Sequence, residues 1–340
     1  MQTTTIALDA ENPDPEAIAQ AAERLRQGDL VAFPTETVYG LGANALAAEA
    51  VARIFAAKGR PARNPLIVHV ADVAAAREIV GAWPDAAVRL AAAFWPGPLT
   101  LVLPRRASIP DIVTGGGQTV GVRVPAHPVA LALLRAAGVP IAAPSANRSL
   151  QLSPTCAAHV AQSLGGRIPL ILDGGATSGG LESTVLSLSG DAPQLLRPGL
   201  LSPARIEAVI GPIQRSAILL SPTNAGPLPA PGMLSRHYAP RAPLELMNDT
   251  PAALARMHRL RLQGKRIGRL TFDSTYPTLP GLVILLMSRD PALYSGRLYA
   301  ALHELDAAGV DAIFVDTPPT EEAWLAVRDR LERAAVTASP

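Results

Sequence analysis

Seven prolines fall between Gly211 and Pro243, and no helix or sheet interior runs through such a stretch. Each proline lacks the amide hydrogen that a regular element needs and fixes φ at about −65°. The chain therefore breaks here into two separately cored parts, and its 340 residues suffice for both without disulfide or metal staples. The expected organisation is a larger domain over 1–211, a proline-rich linker or arm over 212–242 and a smaller domain over 243–340.

Before the break, helix and strand signals mix. Asp14 as N-cap, Pro15 at the first helical position and Gly28 as stop frame a helix with Ile18 and Leu25 on one face. "LVAF" reads as a strand that runs into the loop "PTETVYG", and "AEAVARIFAAK" as a helix with Lys58 at its C-terminal end. The strands that follow, "PLIVHVA", "LTLVLP", "TVGVRVP", "PIAA", "IPLILD", "STVLSL" and "PQLLRPG", do not all have a helix between them, which predicts a mixed α/β sheet. After the break, strands "PLELM", "RIGRLTF", "LVILLMS" and "AIFVD" alternate with helices starting at Thr250, Pro291 and Thr320. That pattern predicts a small open parallel sheet.

The net charge of +2 is too small for a protein that wraps nucleic acid, and no run of like charge forms a tail. A single cysteine, Cys156, excludes an internal disulfide framework, no apolar run approaches a bilayer span, and the N-terminal segment has no signal-peptide pattern. A cytoplasmic location without a membrane partner is the expectation. Lysine stands only at Lys58 and Lys265, so a lysine inside a motif is informative.

Five clusters could carry chemistry. "FPTETVYGLGANA" gathers hydroxyls, a carboxylate and glycines at a strand end, as a loop holding a small polar ligand would. "KGRPARNPLIVHV" sets Lys58, Arg60 and Arg63 within six residues, either a solvated basic loop or a phosphate cradle, ahead of His69. "TVGVRVPAHP" places Thr119, Gly121 and Arg123 on one strand face. An arginine on an apolar strand needs an anion, from the protein or from a substrate. "APSANRSLQLSPT" offers Ser145, Asn147, Ser149 and Ser153, in a composition also ordinary for turns. "DGGATSGGLESTVLSL" puts four glycines ahead of Glu182, Ser183 and Thr184, close-approach backbone of the kind that meets a ligand. Dinucleotide, Walker and zinc motifs are all missing.

In this order the clusters, together with "FWPGPLTLVL" and "LLRPG", resemble the YrdC-like family. The later "PGMLSRHYAP" and the trailing α/β block resemble its long, two-domain threonylcarbamoyl-AMP synthases. The resemblance covers essentially the whole chain. It implies a YrdC-like mixed twisted sheet with flanking helices, and a smaller Rossmann-like parallel-sheet domain at the C-terminus. It also implies synthesis of threonylcarbamoyl-adenylate from L-threonine, bicarbonate or CO2, and ATP with Mg2+, releasing pyrophosphate. The product would pass to a threonylcarbamoyl-transferase complex that modifies tRNA, with at most a weak tRNA contact by this chain. By position, Thr37, His69, Arg123, Ala143 and Ser183 would meet threonine. Arg60, Asn64, Thr119, Ser145, Ser153, Arg197 and, from the arm, Tyr238 would meet ATP, with Lys58 at the phosphates and Lys58 and Arg60 carrying the catalysis. The arm "PGMLSRHYAP" is expected to close over the cleft as a lid.

Two other classes fit less well. An RNA-binding module would need more stacking surface than five tyrosines and five phenylalanines provide. A carbamoyl transferase of the hydrogenase-maturation type would carry zinc-binding cysteines, which a chain with Cys156 alone lacks.

Overall fold

The computed structural model describes residues 1–215, 238–247, 251–275 and 279–335. These form two compact units. The first takes the chain to Ser149 and resumes at Ser153, and the second takes Leu150–Leu152 together with the chain from Tyr238 onward.

The first unit is built on a ten-stranded mixed sheet. Its strands are β1 (Thr4–Ala7), β2 (Val31–Phe33), β3 (Gly40–Asn44), β4 (Ile67–His69), β5 (Leu99–Pro104), β6 (Thr119–Arg123), β7 (Ile141–Ala142), β8 (Leu170–Asp173), β9 (Thr184–Ser187) and β10 (Gln194–Arg197). They lie in the order β1-β8-β2-β3-β7-β4-β6-β5-β9-β10. Helices α1 (Pro15–Arg26), α2 (Ala48–Lys58), α3 (Val73–Ile79), α4 (Asp85–Phe94), α5 (Asp111–Thr114), α6 (Pro128–Ala137), α7 (Ala157–Leu164) and α8 (Pro203–Ile210) connect them. Asp14 caps α1 by accepting from Glu16 N at 3.1 Å. One core packs Ile18, Ala22 and Leu25 of α1 with Leu133 and Leu134 of α6 over Val31, Phe33, Ile141 and Leu170 of the sheet.

The expected mixed sheet is present, with elements that the sequence pattern did not reveal: β1, paired with β8, the short helices α3 and α5, and β3. The stretch "GLGAN" looks like loop because its glycines lack strand propensity. Its glycines are what allow the strand here. A Cβ on Gly42 would lie 2.8 Å from Phe33 and 2.8 Å from Ile141, so a side chain at this point would displace the core from the sheet.

The second unit holds four parallel strands, β11 (Leu244–Met247), β12 (Ile267–Thr271), β13 (Leu282–Leu286) and β14 (Ala312–Asp316), in the order β11-β14-β12-β13. Helices α9 (Pro251–Leu262), α10 (Pro291–Ala307) and α11 (Leu325–Ala334) flank them. Asp290 caps α10 through Ala292 N and Leu293 N. Met247, Met257, Ile267 and Phe314 form one cluster of this core.

Two ends of the proline-rich stretch are not free arm. Gln214 N donates to Pro193 O and Leu195 N to Gln214 O, which attaches this part of the chain beside β10 while Ile213 is buried. Amides and an apolar side chain were available there despite Pro212, and they pair. At the other end Ala239 N donates to Leu150 O at 3.0 Å, and Ala239 bridges Gln151 in parallel. Met233 to His237, the body of the expected lid, lie outside the described residues.

Candidate active site

Hydrogen bonds stitch together three loops of the first unit, those that follow β2, β7 and β8. In "PTETVYG", Thr35 Oγ1 accepts from Thr37 N and Val38 N and donates to Val38 O at 2.7 Å, closing a tight hydroxyl turn. Tyr39 N donates to Pro154 O, Ala146 N to Tyr39 O, Leu41 N to Pro144 O and Gly179 N to Glu36 O. The Tyr39 hydroxyl donates to Gly175 O at 2.6 Å, and burial with the nearby Asp173 raises its pKa far above the ordinary tyrosine value.

Arg123 ends β6 and His69 ends β4, and the parallel register sets them opposite each other. The Arg123 guanidinium is held by Nε to Gly97 O and by Nη1 to Thr37 Oγ1, both at 3.1 Å. Its Nη2 stands 2.7 Å from Glu36 Oε1, an ion pair without hydrogen-bond alignment. Of the two anion sources left open by the sequence, the structure supplies this protein carboxylate. His69 packs edge-on to Phe33 and its Nδ1 has no hydrogen-bond partner. Burial first, and the Arg123 charge second, push its pKa down to about 3, so the ring is neutral near pH 7. Ala143 contributes backbone, its N donating to Ile67 O at 2.9 Å.

Lys58 is buried at the end of α2, where Nζ donates to Ser145 O at 2.5 Å and to Asn147 O. Burial, and then the charge of Arg60, lower its pKa well below the usual lysine range. Arg60 is also buried, with Nε on Asn64 O and Nη2 on Pro65 O. Asn64 is fully buried, and neither its Oδ1 nor its Nδ2 has a hydrogen-bond partner. Arg63 is exposed, so two of the three cations of this segment are buried.

On the far side of β5, Arg197 donates through Nη2 to Ser183 O at 2.8 Å and to Ser183 Oγ at 3.2 Å, and Ser183 Oγ shares a 2.8 Å hydrogen bond with Thr100. Ser153 donates to the neighbouring Glu182 at 2.6 Å. Of the expected residues, Thr37, His69 and Arg123 form one group, Lys58 with Ser145 a second, Arg60 with Asn64 a third, and Ser183 with Arg197 a fourth beside Ser153. Thr119 is half-buried at the opposite end of β6, about 13 Å along the strand from Arg123. Tyr238 belongs to the second unit, where its ring packs 5.9 Å from Tyr299 and lies under the Arg330 guanidinium at 5.0 Å. The sequence reading assigned no role to Glu36, Glu182 or Thr100. For Glu36 the signal was its standing as the carboxylate of a hydroxyl-rich loop.

This arrangement of buried cations, a neutral imidazole and polar atoms without partners suits a small anionic or zwitterionic ligand beside a phosphate-bearing one. A family model described as "Telomere recombination", covering the Sua5, YciO and YrdC proteins, matches residues 23–199. A second, described as the C-terminal domain of threonylcarbamoyl-AMP synthase, matches residues 201–336. Over 326 residues the chain is 47% identical to the Threonylcarbamoyl-AMP synthase of Bacillus subtilis, spanning 95% of this chain and 93% of that one. The chain belongs to the two-domain threonylcarbamoyl-AMP synthase family. A family member from Pyrococcus abyssi is 43% identical over 323 residues, covering 93% of each chain. The crystal structure of P. abyssi Sua5 complexed with L-threonine superposes with a TM-score of 0.89 at 42% identity, covering 98% of both chains. These matches span both units, so the family's two-domain form describes this chain from one end of its described residues to the other.

Proposed function

We propose that this chain condenses L-threonine, CO2 drawn from bicarbonate, and ATP into threonylcarbamoyl-adenylate with release of pyrophosphate. It would thereby supply the threonylcarbamoyl group that a partner complex transfers to tRNA. The observation that carries the reading is Arg123, a buried guanidinium on an interior strand next to Thr37 and His69, whose Nη2 is ion-paired with Glu36 but makes no aligned hydrogen bond. Full-length kinship to proteins named for this synthesis, one of them solved with L-threonine, points the same way.

In chemical terms, the threonine ammonium first loses a proton to solvent. The lone pair of the resulting amine attacks the carbon of CO2, one C=O pair moves onto oxygen, and loss of a second N–H proton to solvent leaves a carbamate. A carbamate oxygen then attacks the α-phosphorus of ATP. The bond from that phosphorus to the bridging oxygen breaks, and pyrophosphate leaves with the electron pair. The protein's work is positioning and charge neutralisation. Arg123 would hold the substrate carboxylate, and His69, neutral, would accept a hydrogen bond at Nδ1. Lys58, Arg60 and Arg197 would face the nucleotide with Asn64 and the serines. Among the described residues no cluster of three or more His, Cys, Asp or Glu could hold a metal. Mg2+ would come with the phosphates of ATP and supply charge neutralisation there.

Incubation with ATP, L-threonine and isotopically labelled bicarbonate tests this, with the products resolved by mass spectrometry. The expected product is a labelled threonylcarbamoyl-adenylate. Nucleotide turnover that leaves the label wholly in bicarbonate would overturn the reading.

A further inference from the structure

Glu36 carries a carboxylate into the first unit without giving either oxygen an aligned hydrogen bond, although both oxygens are shielded from solvent. Oε1 stands 2.7 Å from Arg123 Nη2, which also lacks a hydrogen bond. Arginine–carboxylate pairs frequently close as a fork of two parallel hydrogen bonds. This one stays open, and both partners are pinned in place. The Glu36 carbonyl accepts from Gly179 N at 2.8 Å and from Ser178 Oγ at 3.4 Å. Arg123 is fixed by Gly97 O and Thr37 Oγ1. His127, the nearby imidazole, cannot serve as a standing counter-charge, because burial lowers its pKa against the pull of Glu36 and its Nδ1 accepts from Val129 N.

Two opposite charges are thus held side by side, each with hydrogen-bonding capacity unspent. Their chemical complement is a zwitterion whose two charged groups are attached to one carbon, which a free α-amino acid is. Its carboxylate meets Arg123 and its ammonium meets Glu36. We infer that Glu36 recognises the α-amino group of the substrate, and that the Glu36–Arg123 pair selects free amino acids over simple carboxylates. This rests on reading the first unit as a threonine site.

Calorimetric titration of the full chain with L-threonine and with 3-hydroxybutyrate, which is threonine without its amino group, tests the inference. The wild-type protein should bind threonine at least about 100-fold more tightly. Glu36→Gln, which removes the charge and keeps the shape, should weaken threonine by about tenfold or more while 3-hydroxybutyrate binds equally or more tightly, because Arg123 loses its competing anion. Glu36→Asp should keep the preference for threonine. Comparable wild-type affinity for the two ligands would overturn the inference without any variant. So would Glu36→Gln weakening both ligands by the same factor, as a purely structural role requires, or leaving threonine binding unchanged. Wild-type protein that binds neither ligand would overturn the underlying threonine reading as well, whereas threonine binding with an unchanged preference in Glu36→Gln overturns the role of Glu36 alone.

Discussion

His69 links the site to stability through its protonation. Its pKa falls from 6.5 to about 3 on folding, so between those values the unfolded chain binds a proton that the folded chain refuses. Stability from this group is fully present above about pH 6.5 and is lost as the pH falls toward 3. Urea unfolding at pH 6.5 and 5 should show the wild type losing up to about 2 kcal/mol more than His69→Gln over that interval. Equal losses would contradict the assignment. Lys58 makes the complementary case. Its ammonium is desolvated and, among the described residues, donates to two main-chain carbonyls, so Lys58→Met should keep the melting temperature within a few degrees while raising the KM for ATP far more than that for threonine. A variant that is merely less stable, with ATP kinetics preserved, would make Lys58 a structural lysine. At this scale the sequence marked Lys58, Arg60 and Arg123 because cations in short motifs or on apolar strands stand out. Glu36 was visible only as the carboxylate of a hydroxyl-rich loop, and its pairing with Arg123 was not, because the two meet through the fold rather than along the chain.

The approach of the "RPG" turn to the head of β9 decides how Ser183 and Arg197 meet. A Cβ on Gly199 would fall 2.3 Å from Thr184 N and 2.4 Å from the Ser183 carbonyl carbon, backbone atoms that cannot swing away. Gly199→Ala should therefore cost about 1–3 kcal/mol of stability and lower turnover by more than that loss explains, since it also displaces Ser183 from Arg197. A thermal melt paired with steady-state kinetics checks both. Elements of the second unit were legible almost one for one, because the strands are short and mostly apolar and α10 carries its own start signal, Asp290 ahead of Pro291. The helix expected from Thr320 begins only at Leu325, after a 3-10 turn at Glu322–Trp324 and without a side-chain cap. In the first unit β3 was not legible: glycines chosen to admit Phe33 and Ile141 carry no periodicity.

Proline density between Gly211 and Pro243 placed the expected break in the chain, because proline lacks the amide hydrogen that a regular element needs. The grouping of Leu150–Leu152 with the second unit could not be read this way, because it depends on pairing with Ala239, far along the chain, and distant pairing leaves no local mark. Truncation after Arg215 tests how far the first unit stands alone. Its own core and paired Gln214 predict a soluble, cooperatively melting fragment, and an aggregated or unfolded one would contradict that. The most direct measurement of the central claim is pyrophosphate release from ATP by the full chain with each amino acid in turn, with and without bicarbonate. The account predicts release that requires L-threonine and bicarbonate together. Release that proceeds equally without either, or with any amino acid, would contradict it.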